Sequence, residues 1–331
     1  MYICKLINPQ GKTMFNQIDQ AEYRLCVRVA RLYYDSGFTQ NEIGEKLGYS
    51  RVTIHRILNR AIELGIVEIK INAPQNQNFD LEQDLIVKFN LRDAVVVGDP
   101  EGDDSIYFAL ARGAADWLKR SLKSGMRVGL GLGRTISHLP IMFSTDNSID
   151  CTFIEIVGGA SDHSGGFAKY NITSKMAEIA GGKAEFLYAP NLVSNAEIQK
   201  ALVNEPSISA ALDRARHSDI VIQSIGTVDN SAILYVEKKI TLEELKSLQI
   251  AGAVGDALGH YFNQNGEIVS TFLDNRIIGI SLDDLKKIPW SVLVAGGEEK
   301  KTVIQAAMKG NFFNVLVTNA DTAKYLLSQS E

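Results

Sequence analysis

Thr39-Gln-Asn-Glu-Ile-Gly-Glu-Lys-Leu-Gly-Tyr-Ser-Arg-Val-Thr-Ile-His-Arg-Ile-Leu-Asn-Arg60 holds two short apolar periods separated by a glycine turn. Ile43 and Leu47 face inward from a first helix. Gly44 falls where a side chain would hold the two helices apart, and Gly48 falls where a tight turn needs positive φ. Ser50 is placed to cap a second helix, whose buried face is Ile54, Ile57 and Leu58 at i, i+3, i+4. The spacing predicts a helix-turn-helix. Its outward residues are Ser50, Arg51, Val52, His55, Arg56 and Asn59, with three arginines and no acid between Ser50 and Arg60. Arginine and asparagine can pair with base edges, and arginine and serine can hold phosphates. The candidate DNA contacts are therefore these residues together with Thr39, Gln40 and Thr53. The plain alternative is a helical hairpin with a solvated basic face.

On the N-terminal side, residues 21–36 have a helical period, with Leu25, Val29 and Leu32/Tyr33 on one face and Arg24, Arg28 and Arg31 on another. Gly37 ends that helix, which would support the reading pair. Residues 1–19 read as a leader, with Met14 a candidate start. On the C-terminal side the second helix should run to Leu64 and stop at Gly65. Residues 66–71 then alternate as a short strand, the wing of a winged helix-turn-helix. Residues 73–78 are polar with one proline and read as a linker between a DNA-binding domain (20–72) and a larger domain (79–331).

At 331 residues the chain is too long for one DNA-binding module. Its net charge of −5 argues against general nucleic-acid coating, yet residues 21–72 carry eight Lys/Arg against six Asp/Glu. A mildly basic head on an acidic body suits a protein that touches DNA at one end. Cys4, Cys26 and Cys151 are odd in number and far apart, which argues against a disulfide framework or zinc site and for a reducing cytoplasm. No apolar run reaches the length of a membrane span. Neither a metal nor a cofactor is expected.

Residues 79–89 are again helical, with Leu81, Leu85 and Phe89 on one side. Beyond residue 93 the texture changes. Short Val/Ile-rich runs recur at 94–97, 126–132, 153–157, 184–187, 220–225, 291–295 and 315–317. Helical patterns at 106–122, 136–143, 172–180, 197–216, 300–309 and 322–327 separate most of them. Parallel strands buried on both faces read as continuous apolar runs, and they need crossovers of this length. The pattern predicts a doubly wound α/β domain.

Glycine follows nearly every strand: Gly129, Gly131 and Gly133, then Gly158-Gly159, Gly226 and Gly296-Gly297. Such turns let backbone N–H groups approach an anion at a helix start. Arg134, Thr135 and Lys300 lie just beyond them, so the converging loops would form a pocket for a phosphorylated small molecule. Any single loop is better explained by glycine's use in turning; the set together points to a pocket. Asp256, an acid among small and apolar residues, wants a polar partner; it reads as an acceptor for sugar hydroxyls, a base, or a structural carboxylate at a helix start. A nicotinamide site competes weakly: Gly129-x-Gly131-x-Gly133 is not G-x-G-x-x-G, and no acid ends the following strand. Against a hydrolase or isomerase, the histidines are scattered, no nucleophile-elbow or zincin motif occurs, and no catalytic residue is assigned.

In order along residues 20–328, the chain resembles the SorC family of bacterial sugar-responsive transcriptional regulators. At the head the resemblance rests on residues 30–34, Thr39-Gln40, Ile43, Leu47-Gly48 and 65–67. In the body it rests on Gly158-Gly159, Asn171, Ala189-Pro190, 252–256 with Tyr261-Phe262, 294–298, 306–310 and 316–318. It implies a winged helix-turn-helix followed by an effector domain related to phosphosugar isomerases, assembled as a homotetramer on operator DNA and answering to a phosphorylated sugar. By position, Gly131 to Thr135 would contact phosphate or ring, and Lys169, two residues before Asn171, falls where some members place a polar contact; Asn171 and the strand-end Gly226 complete the candidate ligand set. Asp256 would accept hydroxyls, and Lys300 would meet phosphate or a hydroxyl. The catalytic acids of the related isomerases do not carry over, so the resemblance implies binding without turnover.

Overall fold

The computed structural model describes residues 20–69, 78–99, 103–159 and 172–329. The leader, residues 70–77 of the expected wing and linker, and Lys169 and Asn171 lie outside them. The chain divides into two compact units, one before residue 74 and one from it onward.

The head is built from α1 (Gln20–Ala30), which continues through one π-helical turn at Arg31–Asp35, then α2 (Gln40–Leu47) and α3 (Arg51–Glu63). Val29, Ile43, Ile54 and Leu58 are its buried centre, with Leu25, Leu32, Tyr33 and Leu47 packed around them. Thr39 starts α2 in a reciprocal cap. Its hydroxyl accepts the Glu42 N–H at 3.3 Å, and the Glu42 carboxylate accepts the Thr39 N–H at 2.7 Å. Gly48 ends α2 at φ 75°, and Ser50 caps α3 by accepting the Thr53 N–H at 3.1 Å. The close approach at Gly44 is to the turn rather than to α3's side chains: a Cβ there would lie 2.5 Å from the Tyr49 carbonyl oxygen.

The expected wing strand is not formed over residues 66–69. The Ile66 and Val67 amides both donate to the Ala61 carbonyl, at 2.9 and 3.2 Å, closing the end of α3 behind Gly65. Both side chains then pack on Cys26 and Ala61, so neighbours that would alternate in a strand are turned to the same core.

The body runs α4 (Phe79–Phe89), β1 (Asp93–Val97), α5 (Asp103–Ser121), β2 (Arg127–Leu130), α6 (Arg134–Ser137), α7 (Leu139–Met142), β3 (Thr152–Glu155), α8 (Ile172–Ala180) and β4 (Lys183–Glu185). It continues through α9 (Ala196–Asn204), α10 (Pro206–Arg216), β5 (Ile220–Gln223), β6 (Gly226–Thr227), α11 (Ile233–Val236), α12 (Leu242–Ile250), β7 (Gly255–Ala257) and β8 (His260–Phe262). It closes with α13 (Leu282–Leu285), β9 (Trp290–Val294), a 3-10 turn at Glu298–Lys300, α14 (Lys301–Lys309), β10 (Val315–Asn319) and α15 (Ala320–Ser328). All seven expected strands join one parallel sheet, in the order β1-β10-β9-β5-β2-β3-β4.

Alternate strand residues feed two cores. Val221, Leu293 and Leu316 face one side with α14 and α15; Ile220, Ile222, Val292, Val294, Val315 and Val317 face the other with α5 and α8. The helix at 79–89 covers the β1 edge. Glu82 accepts the Val96 N–H at 2.9 Å and Asn78 donates to the Val96 carbonyl at 3.1 Å, which satisfies groups that an open edge would expose.

Two helices expected as single are each divided. Residues 197–216 break at Glu205, which is extended (ψ 124°) because it precedes Pro206, the first residue of α10. Residues 136–143 form α6 and α7, with Pro140 in the first turn of α7. A second sheet, β6-β7-β8 and antiparallel, has no counterpart in the sequence reading.

Candidate nucleic-acid interface and ligand cavity

In the head, α3 presents Arg51, Val52, His55, Arg56 and Asn59 to solvent, Val52 with 75% of its surface exposed. Arg51 and Arg56 form no ion pair among the described residues. Arg60, by contrast, is held by Glu63 at 2.9 Å and Glu22 at 3.4 Å, which ties α3 to α1. The basic face is therefore Arg51 and Arg56. Asn59 Nδ2 lies 3.3 Å from His55 Nε2, so these two side chains are set as a pair. The Ser50 and Thr53 hydroxyls lie 2.8 Å apart at the cap, and Thr53 is half-buried. Thr39 spends its hydroxyl on the α2 cap, and Gln40 is half-exposed beside it.

In the body, the strand order decides where a ligand can sit. β2 leads to β3 on one side and β5 leads to β9 on the other, so the winding reverses between these neighbouring strands. A crevice opens outside the carboxyl ends at such a reversal. A cavity of about 180 Å³ lies there. It is lined by Gly133 and Arg134 after β2, by Gln223 to Thr227 at the end of β5, and by Asp256, Glu299 and Lys300. Ser231 to Leu234 and Glu237 form another wall.

Five of the expected ligand residues thus come together: Gly133, Arg134, Gly226, Asp256 and Lys300. Gly131 and Thr135 do not line the cavity; both are buried, Gly131 beneath the floor and Thr135 turned into the fold within α6. The loops at Gly158-Gly159 and Gly296-Gly297 also stay out of the lining. Gly158 is pressed against the backbone of Ala189 and Pro190, where a Cβ would come within 2.5 Å. Gly297 donates to Asn319 and Thr322 at 3.1 and 3.2 Å, so that loop serves the sheet.

Asp256 is not at a helix start. It lies in the middle of β7, opposite Gly226 of β6, where a Cβ would stand 2.3 Å from Asp256 Oδ1. The glycine leaves the carboxylate its space. Oδ2 accepts the Gly259 N–H at 3.1 Å. Burial pushes the Asp256 carboxyl up to about 6, against the pull of Gly259 and Lys300. Burial likewise holds the Lys300 amine below its ordinary range, with Glu299 and Asp256 opposing and Arg134 reinforcing. Both side chains are packed by protein yet keep some accessible surface, and both border the cavity. The Arg134 guanidinium rests 4.8 Å from the centre of the Tyr107 ring, and Gly133 before it takes φ 139°, which excludes a side chain. Glu237 is paired with Lys239 at 2.8 Å.

Gln223 is the residue the sequence reading passed over. It is 5% exposed, its Nε2 donates to the Ser224 carbonyl at 2.6 Å, and its Oε1 has no partner among the described residues. A buried acceptor left without a donor costs about 1–3 kcal/mol. The available signal was an amide at the last position of an otherwise apolar strand, just before Ser224-Ile-Gly226.

Residues 73–328 match the Sugar-bind family model, a sugar-binding domain, and residues 28–63 match the model of sigma-70 region 4. The chain is 30% identical over 312 residues to the deoxyribonucleoside regulator of Bacillus subtilis (strain 168), covering 94% of this chain and 99% of the relative. It is 32% identical over 324 residues to the transcriptional regulator LsrR of Enterobacter sp. (strain 638), covering 96% and 97%. The structure of the full-length sorbitol operon regulator SorC from Klebsiella pneumoniae superposes with a TM-score of 0.70 at 28% identity, over 93% of this chain and 100% of that one. A helix-turn-helix joined to a doubly wound domain with a cavity at its winding reversal defines a ligand-responsive DNA-binding regulator rather than an enzyme. The chain belongs to the SorC family of sugar-binding transcriptional regulators.

Proposed function

We propose that the chain is a cytoplasmic, homotetrameric regulator of a carbohydrate-utilisation operon, and that a phosphorylated sugar in the body cavity sets its hold on operator DNA. The observation that carries this reading is the charge arrangement of the cavity: Arg134 and Lys300 border it together with the Asp256 carboxylate. Two cations suit a phosphate, and a carboxylate with a free lone pair suits a sugar hydroxyl. Arg51, Val52, His55 and Arg56 read base edges in this proposal. Thr39, Gln40, Ser50, Thr53 and Asn59 set the helix on the backbone. Gly133 and Arg134 approach the phosphate directly and Gly226 shapes a wall, while Gly131 and Thr135 support the loop from inside the fold. Lys169 and Asn171 add polar contacts by their place in the family pattern.

The effector must bind one arrangement of the oligomer better than another, because equal affinity for both would shift nothing. The test is fluorescence anisotropy of the full chain on the DNA upstream of its own operon, at fixed salt, with a panel of sugar phosphates. Tight specific binding altered by one of them is the expected result. Binding no tighter than to random DNA, with no response to any of them, would sink the reading for that operon.

A further inference from the structure

Asn191 lines the effector cavity from a segment whose backbone is pinned on both sides. Its N–H donates to the Gly159 carbonyl at 3.1 Å, and its carbonyl accepts the Ile278 N–H at 3.0 Å. Two residues on, the Val193 N–H donates to the Arg276 carbonyl at 2.9 Å, and the Arg276 Nε donates back to the Val193 carbonyl at 2.8 Å. What Asn191 has left is its carboxamide, partly exposed and without a hydrogen bond among the described residues. Other uncharged groups of the lining are already engaged: the Ser231 hydroxyl donates to Asp229 at 2.6 Å, and the Gln223 amide nitrogen donates to the Ser224 carbonyl. Contacts also link Asn191 to the carboxylate of the cavity. Gly259, whose N–H is held by Asp256, stands where a Cβ would come 2.7 Å from Ile277 Cδ1, and Ile277 precedes the residue bonded to Asn191. Val157 and Ile277, which line the cavity from the segments tied to this one, are apolar.

We propose that Asn191 is a specificity-determining residue of the effector cavity, its carboxamide hydrogen-bonding one hydroxyl on the uncharged part of a sugar phosphate. The inference rests on the sugar-phosphate reading above and narrows it. An ionised phosphate only accepts hydrogen bonds and an ammonium only donates them, whereas a hydroxyl does both, as an amide does. Arg134 and Lys300 supply the charge that a phosphate needs, so a neutral amide tied to the Asp256 side falls to the polyol. Its backbone is held before any ligand arrives, so ordering the contact costs the rotation of one short side chain. Against an apolar wall, a hydroxyl placed at Asn191 keeps a partner that a methylene at the same carbon does not use. Sites that hydrogen-bond a hydroxyl reject the analogue lacking it far more strongly than apolar sites reject an extra one.

The experiment uses the full chain and titrates glucose 6-phosphate, fructose 6-phosphate, ribose 5-phosphate and glucitol 6-phosphate, each beside its monodeoxy derivatives. For the tightest parent, one derivative is expected to bind the wild type about tenfold more weakly. In Asn191→Leu, which keeps the volume and removes both polar atoms, the parent should fall to the affinity of that derivative, so that their ratio approaches one. Asn191→Ala, which withdraws the amide without filling its place, should collapse the same ratio. Ratios for deoxygenation at the other carbons should stay as in the wild type, which a general loosening of the cavity would not give. The melting temperature of the unliganded chain should hold in both variants, because the amide bonds to no protein group. An undiminished parent affinity in the two variants, or a ratio that both leave unchanged, would overturn this inference alone. Failure of every parent to bind the wild type would overturn it together with the effector reading.

Discussion

Arg56 and Arg60 lie one helical turn apart and carry the same charge, yet their surroundings set different tasks. Arg60 is bound by two carboxylates and joins helices. Arg56 is exposed beside Val52 and Asn59 and forms no ion pair among the described residues. Arg56→Ala should weaken specific operator binding by about 1–3 kcal/mol, read by anisotropy, and should leave the melting of the head nearly unchanged. Asp256 carries the pH dependence of the cavity. Its folded carboxyl sits near 6, above its ordinary value of 3.8, so its charge is present above about pH 6 and lost below. The linkage sign is that of a raised acid: as pH climbs from 3.8 to about 6, the folded state gives up stability, because the unfolded carboxyl ionises there while the buried one must keep its proton. Effector affinity should move the opposite way and fall on acidification through about pH 6. A phosphate monoester also titrates there, with a second pKa of about 6. Asp256→Asn is therefore the control, and should retain only the ligand's own share of the slope in isothermal titration. Asp256 and Lys300 were legible in the sequence because a charge among small residues is conspicuous. Gln223 was not, because one amide barely interrupts an apolar run.

At the scale of elements, helix ends mark themselves. The reciprocal cap of Thr39 with Glu42 and the cap at Ser50 are local, and the residues that make them are adjacent in the chain. Thr39→Ala should cost the head about 1 kcal/mol, measured as a lower urea midpoint. Hydrogen bonds from Thr39 hold the Glu42 carboxyl below its ordinary 4.5. The contribution of this depressed acid is complete above that value and is lost as pH falls through the folded one. Acid titration of the wild type should therefore erode the head's stability below pH 4.5 more steeply than that of Thr39→Ala. The central strands of the parallel sheet were readable for a similar reason, since burial on both faces writes itself as continuous Val and Ile. Strands of two or three residues, such as β6, β7 and β8, are too short to establish a period. Over residues 66–69, the described part of the expected wing, the strand lost to competition. A strand-like alternation was present, but the end of α3 claimed the Ile66 and Val67 amides first.

For the molecule as a whole, charge and topology do the organising. The chain carries −5, while the exposed face of α3 is basic, so association with DNA should be local and strongly dependent on salt. Raising salt from 50 to 200 mM should weaken operator binding steeply, and Arg51→Ala should flatten that slope by about one unit if its contact is a phosphate. The order of strands was beyond the sequence, because pairing such as β5 with β2 joins residues about ninety positions apart. Yet that pairing is what opens the crevice.

The cavity walls belong to two different sheets. Gly133, Arg134 and Gln223 stand at strand ends of the parallel sheet, while Asp256 is carried by the small antiparallel one. A ligand held by both acts as a clasp across two layers, and its binding energy becomes resistance to their parting. Hydrogen–deuterium exchange should register this as amides of residues 253–262 slowing by up to about a hundredfold at a ligand concentration of about a hundred times Kd. The interior amides of β9 and β10 should keep their rates. Equal slowing everywhere would mean that the two sheets already open as one.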